Sequence, residues 1–404
     1  MSTANKKLKV LFISSWYPNR NNLSHGIFIK RHAEATSLLH QISVIHACAD
    51  KNIKKGTFET EETLENNVLS VVVYYKKVNS LLPVISSIIK LYRYINAHFI
   101  AYKCIEKQMG KPEILHLQVI YKAGLIALIF HKLFKIPLII SEHWSGYMPE
   151  DGNYKGFLKK LITRLSVKKA KSIIVVSEKM KENMLRHKLY NQYTNIYNVV
   201  DEKLFKPALF PKEKENNKIH MIHVSSLNEK EKNISGILRT IKKLSGSRDD
   251  FQLEFIGESD EKFQLEKMAS EMGILNNYVF FKGWKSPGET AELMRKSDFF
   301  LMFSNYEGLP CVLIESLASG IPVIATNTGG IPEIITKEQG LLVTVKDEDE
   351  LFKTINEMLD NYKNYNSKEL SNYAKENFSY EKVAEKISTI YQTVIKHNNG
   401  TLKN

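Results

Sequence analysis

The sequence predicts an α/β protein of two doubly wound domains that face a cleft. Three observations predict it. Short apolar runs alternate with longer amphipathic ones along the chain, as strands and crossover helices do in a parallel sheet. The alternation stops once, in NVVDEKLFKPALFPKEKENN at 198–217, which has two prolines, a charge run and no periodicity, as a linker should. It then begins again, and 404 residues suffice for two domains of ordinary size.

Taken in order, KVLFIS at 9–14 is the first strand, and a long loop leads from it to a helix at 27–39. Strands follow at 42–47, 69–75, 114–119, 138–141 and 173–177. Helices at 85–108, 123–133, 157–170 and 179–186 connect them. The second half places strands at 220–225, 252–256, 279–281, 299–303, 323–325 and 341–343. Its helices are expected at 234–244, 263–272, 290–296, 311–318 and 348–360. The last segment has Val383, Ile387, Ile390, Tyr391 and Val394 at helical spacing. The domains are therefore expected at 1–200 and 218–378, with a linker at 201–217 and a terminal helix in 379–404.

Hydrophobic content of 43% and charge of 25% fit an ordinary globular protein, not a disordered or membrane-embedded one. Charge-free stretches such as 78–89 are too short to span a bilayer. Cys48, Cys104 and Cys311 lie far apart and show no metal or redox spacing. Without a secretory signal, they point to a reducing cytoplasm. The net charge of +13 is unevenly placed: residues 1–200 carry 30 Lys and Arg against 13 Asp and Glu, and residues 201–404 carry 27 against 31. A basic first half suits an anionic membrane surface or a polyanionic acceptor. No nucleic-acid motif is present, so no nucleic acid is expected. A generally lysine-rich composition is the plainer reading of the same numbers.

SNYEGLPCVLIESLASGIPVIATNTGGIPE, residues 304–333, is the most informative stretch. It follows a strand-like run and sets Glu307 and Glu315 eight residues apart around a helix start. Free N–H groups at such a helix start favour anionic oxygens, and the carboxylates can accept hydrogen bonds from sugar or ribose hydroxyls. The plainer reading is a βαβ unit whose glutamates are a solvated helix face.

The same stretch resembles the donor-binding segment of the retaining glycosyltransferases of family 4, which have the GT-B fold: two Rossmann-like doubly wound domains facing a central cleft. Their pattern runs E-G-x-P, a second Glu, A-x-G-x-P-V-I-A and G-G-x-x-E. Here it reads Glu307-Gly308-Leu309-Pro310, Glu315, Ala318 to Ala325 and Gly329-Gly330-Ile331-Pro332-Glu333. The resemblance implies transfer of a sugar from a nucleotide-diphosphate donor to an acceptor hydroxyl with retention, in cell-envelope polysaccharide or glycolipid synthesis. It implies a donor site in the second domain and a carbohydrate or lipid-linked sugar acceptor in the first. The terminal helix would cross back to the first domain. No cofactor and no metal are expected, and the location would be cytoplasmic, with the inner face of the membrane as a peripheral site.

By that resemblance Glu315 would bind ribose hydroxyls and Glu307 would lie by the sugar ring. The backbone of Gly308, Leu309, Pro310, Cys311 and Val312 would cradle phosphate, with Pro310 in the first helical turn. Lys232 would hold the diphosphate, with Lys230 less well aligned. The family's arginine is missing, its place taken by Ser226; Arg20, Lys30 and Arg31 are cations that could replace it. Gly257 and Gly283 would face the cleft, and Gly26 would approach the donor phosphates. His143, at a strand end, would contact the reacting sugar, and Trp144 and Tyr147 would stack on an acceptor. The departing phosphate would serve as base toward the acceptor hydroxyl. Asp347-Glu-Asp349 spells a metal-binding D-x-D but reads better as a helix cap. Residues 156–171 have the pattern of a basic amphipathic helix, which would rest either on lipid or on the core. A sugar-nucleotide 2-epimerase or a non-catalytic sugar-nucleotide-binding protein are the alternatives.

Overall fold

The computed structural model describes residues 6–54, 56–78, 83–208 and 218–400. Part of the expected linker, 209–217, and the last four residues of the terminal segment lie outside the described residues.

The first domain runs β1 (Lys9–Ser14), α1 (Ile27–Ser37), β2 (Gln41–Asp50), β3 (Phe58–Glu65), β4 (Val68–Lys76), α2 (Pro83–Met109), β5 (Ile114–Gln118), α3 (Ile120–Phe134), β6 (Leu138–Glu142), α4 (Phe157–Lys169), β7 (Ser172–Val175), α5 (Glu178–Arg186) and β8 (Tyr193–Asn195). Its strands order as β3-β4-β2-β1-β5-β6-β7-β8. Direction of travel reverses at β1, between β2 and β5, so the crevice at the carboxyl ends of these strands is the natural ligand position. β1 is covered on both faces, which is why KVLFIS could be apolar throughout.

The second domain runs β9 (Ile219–Val224), α6 (Glu229–Lys232), α7 (Ile234–Leu244), β10 (Phe251–Ile256), α8 (Lys262–Glu271), β11 (Val279–Gly283), α9 (Pro287–Lys296), β12 (Phe299–Leu301), α10 (Cys311–Ala318), β13 (Val323–Thr326), β14 (Gly340–Val343) and α11 (Glu348–Asn361). Its sheet is wholly parallel, ordered β11-β10-β9-β12-β13-β14. α7 shows how pattern becomes packing: Ile234, Ile237, Leu238, Ile241 and Leu244 form one buried stripe. α9 is started by a capping box of Ser286 and Glu289, with Pro287 in its first turn.

Two further helices close the chain, α12 (Ser367–Phe378) and α13 (Tyr380–Gly400). α12 packs on α10 and α13 on α1. Val383, Ile387, Tyr391 and Val394 join the core of the first domain, and the Tyr391 hydroxyl bonds His116 Nδ1 at 2.6 Å. Where the chain passes between the domains, Val200 N–H donates to the Phe378 carbonyl at 2.9 Å.

Four elements were not expected from the sequence: β3, β8, α6 and α12. In β3, FETEETLE pairs antiparallel with β4, from Phe58 opposite Tyr75 to Glu65 opposite Val68, at the sheet edge. α4 turns its apolar stripe outward. Phe157, Leu158, Leu161 and Leu165 are exposed, and the buried residues are Thr163, Ser166 and Val167. Among the described residues no helix is long and apolar enough to cross a membrane.

Candidate active site

The second-domain half of the site is built around α10. Glu307 lies in the loop between β12 and α10 and is buried. Its Oε1 accepts from Lys232 Nζ at 2.6 Å and Ser304 Oγ at 2.7 Å. Lys232, at the end of α6, also donates to Glu231 at 2.7 Å. Burial works against the ammonium charge, but the Glu307 and Glu231 carboxylates outweigh it and push Lys232 above its ordinary range. Burial raises the Glu307 carboxyl, with Lys232 pulling it back down.

The first turn of α10 has no side-chain cap, so the N–H groups of Cys311 and Val312 remain for a ligand. Pro310 is the N-cap, one position before the first turn expected from the sequence. Burial pushes the Cys311 thiol up to about 12, which removes it as a nucleophile. Gly257 N–H donates to the Gly283 carbonyl at 2.9 Å, so these two strand-end glycines meet. Gly257 has φ +139, and a Cβ there would lie 1.8 Å from the Ser225 carbonyl oxygen.

The first-domain half is built around the end of β6. Glu142 is fully buried and accepts from the N–H groups of Ile120, His143 and Trp144 and from the Tyr147 hydroxyl, at 3.0 to 3.1 Å. Burial raises its carboxyl against those bonds. One carboxylate thereby fixes the loop that presents His143. Tyr147 is buried in this support, not open as a stacking platform, and the Trp144 ring packs between Tyr121 and Tyr147. Gly26 is the N-cap of α1, and a Cβ on it would fall 2.6 Å from the Trp16 backbone.

Asn198 sets the state of His143. Its Nδ2 donates to the Leu309 carbonyl at 2.7 Å, which turns its Oδ1 toward His143 Nδ1 at 3.1 Å. Nδ1 must then carry the proton. Burial holds the imidazole well below its usual range, so the ring is neutral and Nε2 presents a lone pair. That Nε2 is buried and meets no hydrogen-bond partner among the described residues.

The two halves are in contact. Arg31 of α1 forms an ion pair with Glu315 of α10, and both are buried. Burial opposes the guanidinium charge, yet Glu315 drives Arg31 above its ordinary range. Glu315 was expected to stand open to ribose hydroxyls; here its Oε1 is held by Arg31. Glu333 accepts from the N–H groups of Glu178 and Lys179, both at 3.0 Å, and so covers the start of α5 from the other domain. Lys230 Nζ donates to the Asp151 carbonyl at 3.1 Å. A Cβ on Gly308 would sit 3.5 Å from the His143 carbonyl oxygen, so the phosphate-side loop and the histidine loop touch.

This arrangement can be compared with known proteins. The sequence model of Glycosyl transferases group 1 matches residues 205–377, and that of Glycosyltransferase Family 4 matches residues 29–204. The chain belongs to the family 4 glycosyltransferases. It is 24% identical over 335 residues to an uncharacterised glycosyltransferase of Methanocaldococcus jannaschii, covering 80% of each chain. It is 24% identical over 228 residues to the alpha-monoglucosyldiacylglycerol synthase of Streptococcus pneumoniae, which is 53% of this chain and 51% of that one. Other curated relatives are covered over as little as 12% of their length. The sucrose-phosphate synthase of Thermosynechococcus elongatus shares the GT-B fold, at TM-score 0.74 and 18% identity over 96% of this chain and 100% of that chain.

In this glycosyltransferase Ser226, at the position where the resemblance implied an arginine, is exposed. Of the three candidate replacements, Arg20 pairs with Asp50 and Glu59, and Lys30 with Glu65, all at 2.7 Å within the first domain. Arg31 is the one that reaches the second domain. Asp347 caps α11 by accepting from Glu350 N–H at 2.8 Å, and Asp349 pairs with Lys243. Among the described residues no group of three or more side chains is assembled to hold a metal. Sequence reasoning missed Glu142 and Asn198. Glu142 had a signal, an acidic residue ending an apolar strand beside His143; Asn198 had none.

Proposed function

We propose that this chain moves a sugar from a nucleotide-diphosphate donor to an acceptor hydroxyl, with retention at the anomeric carbon, in envelope polysaccharide or glycolipid synthesis. One observation carries the reading. The buried Lys232–Glu307–Ser304 cluster precedes the uncapped start of α10, and Asn198 ties the Leu309 carbonyl of the same loop to the neutral His143. The N–H groups of Cys311 and Val312, with Lys232, would take the diphosphate charge as it grows on the leaving group. Glu307 would orient the sugar ring. The His143 Nε2 lone pair would accept from a sugar hydroxyl. Glu315 would receive the ribose hydroxyls through its second oxygen or on release from Arg31. The leaving phosphate would take the proton of the attacking hydroxyl. The monoglucosyldiacylglycerol synthase relative is consistent with a lipid-borne acceptor.

Calorimetric titration with UDP, GDP and ADP tests the donor site, with Glu315→Ala as control. One nucleotide should bind and lose affinity in the variant. Absence of binding by all three would refute the donor assignment. Ser226 in the arginine position supports a second reading, a non-catalytic sugar-nucleotide-binding protein. It predicts nucleotide binding with no nucleotide release in the presence of any acceptor.

A further inference from the structure

Three helices cover one face of the first sheet. Tyr102 of α2 stacks on Phe134 of α3 at 4.3 Å, and Gly124 of α3 lies against Ile162 and Ser166 of α4. α3 therefore lies between the other two. α2 follows β4 and α4 follows β6, and these strands run parallel through β2, β1 and β5. Both helices therefore begin at the same end of the domain, the carboxyl end of the sheet that faces the cleft.

At that end apolar side chains point into solvent. Phe157 is 83% exposed and Leu158 66%, with Leu161 and Leu165 a turn and two turns on. On α2 the exposed stripe is Val84, Ile85, Ile88, Leu91 and Tyr92. The core explains neither stripe, because α4 buries Thr163, Ser166 and Val167 instead. The charge is equally one-sided. The three helices carry 11 Lys and Arg against one carboxylate, Glu106 near the far end of α2.

The geometry points to this face as a docking surface for an anionic lipid bilayer. Phe157, Leu158, Val84 and Ile88 enter the boundary between headgroups and acyl chains, and Lys and Arg lie against lipid phosphates. Charge complementarity selects this occupant: a second copy of the chain would bring the same cations against these. Docking would set the cleft mouth at the membrane, where a lipid-borne acceptor is presented; that consequence rests on the proposed function, while the binding itself does not.

The test is sedimentation of the full chain with vesicles of phosphatidylcholine alone and of an equal mixture with phosphatidylglycerol. Binding is expected to the mixed vesicles only, and to be lost at ~1 M salt, where the screening length is about 3 Å. Phe157→Ser with Leu158→Ser should weaken it by roughly tenfold or more. Arg164→Gln and Lys168→Gln should each weaken it roughly fivefold. Nucleotide affinity in solution should not change in these variants, so failure of the donor site and failure of docking read out separately. Equal binding to both vesicles, binding to neither, or variants that bind like the parent would overturn the inference. So would a dimer in solution that dissociates on the Phe157 and Leu158 substitutions, since it would assign the face to a second copy.

Discussion

Arg31→Met breaks the Arg31–Glu315 pair between the domains while keeping most of the side-chain stem. The two side chains are 7% and 8% exposed, so water cannot replace the lost partner. Removing one member of such a pair leaves a buried uncompensated charge, at a cost of ~3–5 kcal/mol. For units of this size 1 kcal/mol moves the melting temperature by ~2–4 °C, so the fall should be at least ~6 °C. Arg31→Met combined with Glu315→Leu removes both charges and replaces them with apolar volume. The double variant should therefore be more stable than the two single losses predict, by ~2 kcal/mol or more. Scanning calorimetry of the four proteins closes the cycle. Small-angle scattering of the single variant should also show a larger radius of gyration, because a contact across the cleft is gone. A fall below ~2 °C, or strictly additive losses, would refute the claim that this pair is a strong link between the domains.

Lys232→Met leaves Glu307 buried without its cation and removes a charge-assisted contact to phosphate; nucleotide affinity should fall by at least ~tenfold in calorimetry. Asn198→Ala orphans both His143 Nδ1 and the Leu309 carbonyl. It should cost ~1–3 kcal/mol in thermal unfolding, and an unchanged melting temperature would contradict the assigned tautomer. Gly257→Ala places a methyl 1.8 Å from the Ser225 oxygen at φ +139, and should destabilise the second domain by ~2 kcal/mol or more. Burial lowers His32, His40 and His98 to about 4, and His46 and His116 to about 3. Below pH ~6.5 the unfolded chain binds protons that the native chain refuses, so stability is full above that pH and falls as acid is added. Between pH ~6.5 and ~5.5 each such histidine should remove about 1 kcal/mol, measured by denaturation at stepped pH; a flat profile would contradict their burial.

Much of the fold was written in local pattern. β1 and α10 fall on the expected residues because each is a run of apolar side chains with a clear stop on either side. β3 was not legible. Its alternation of Glu and Thr carries no apolar face, because an edge strand needs only the ladder of β4. The site divides in the same way. Glu307, Glu315 and the glycines lie in one continuous stretch whose spacing is readable. Arg31 meets Glu315 across 284 residues, and Asn198 meets Leu309 across 111. Such meetings are properties of the folded pair of domains, and nothing in either local sequence announces them. α4 taught the opposite lesson: its pattern was legible, but only packing could say which face looks outward.

The bond between Val200 and Phe378 has a mechanical consequence. The chain passes from the first domain to the second near Val200, and returns near Phe378 on its way into α13. Two covalent crossings side by side define an axis. A single tether would let the domains rotate freely in three directions; two adjacent crossings leave mainly one, the swing of a door about the line that joins them. Residues at the axis move little as the cleft opens. Residues farther from it must part together. Cutting α13 loose would turn the door into a flail, with the same surfaces present and no fixed path to bring them together.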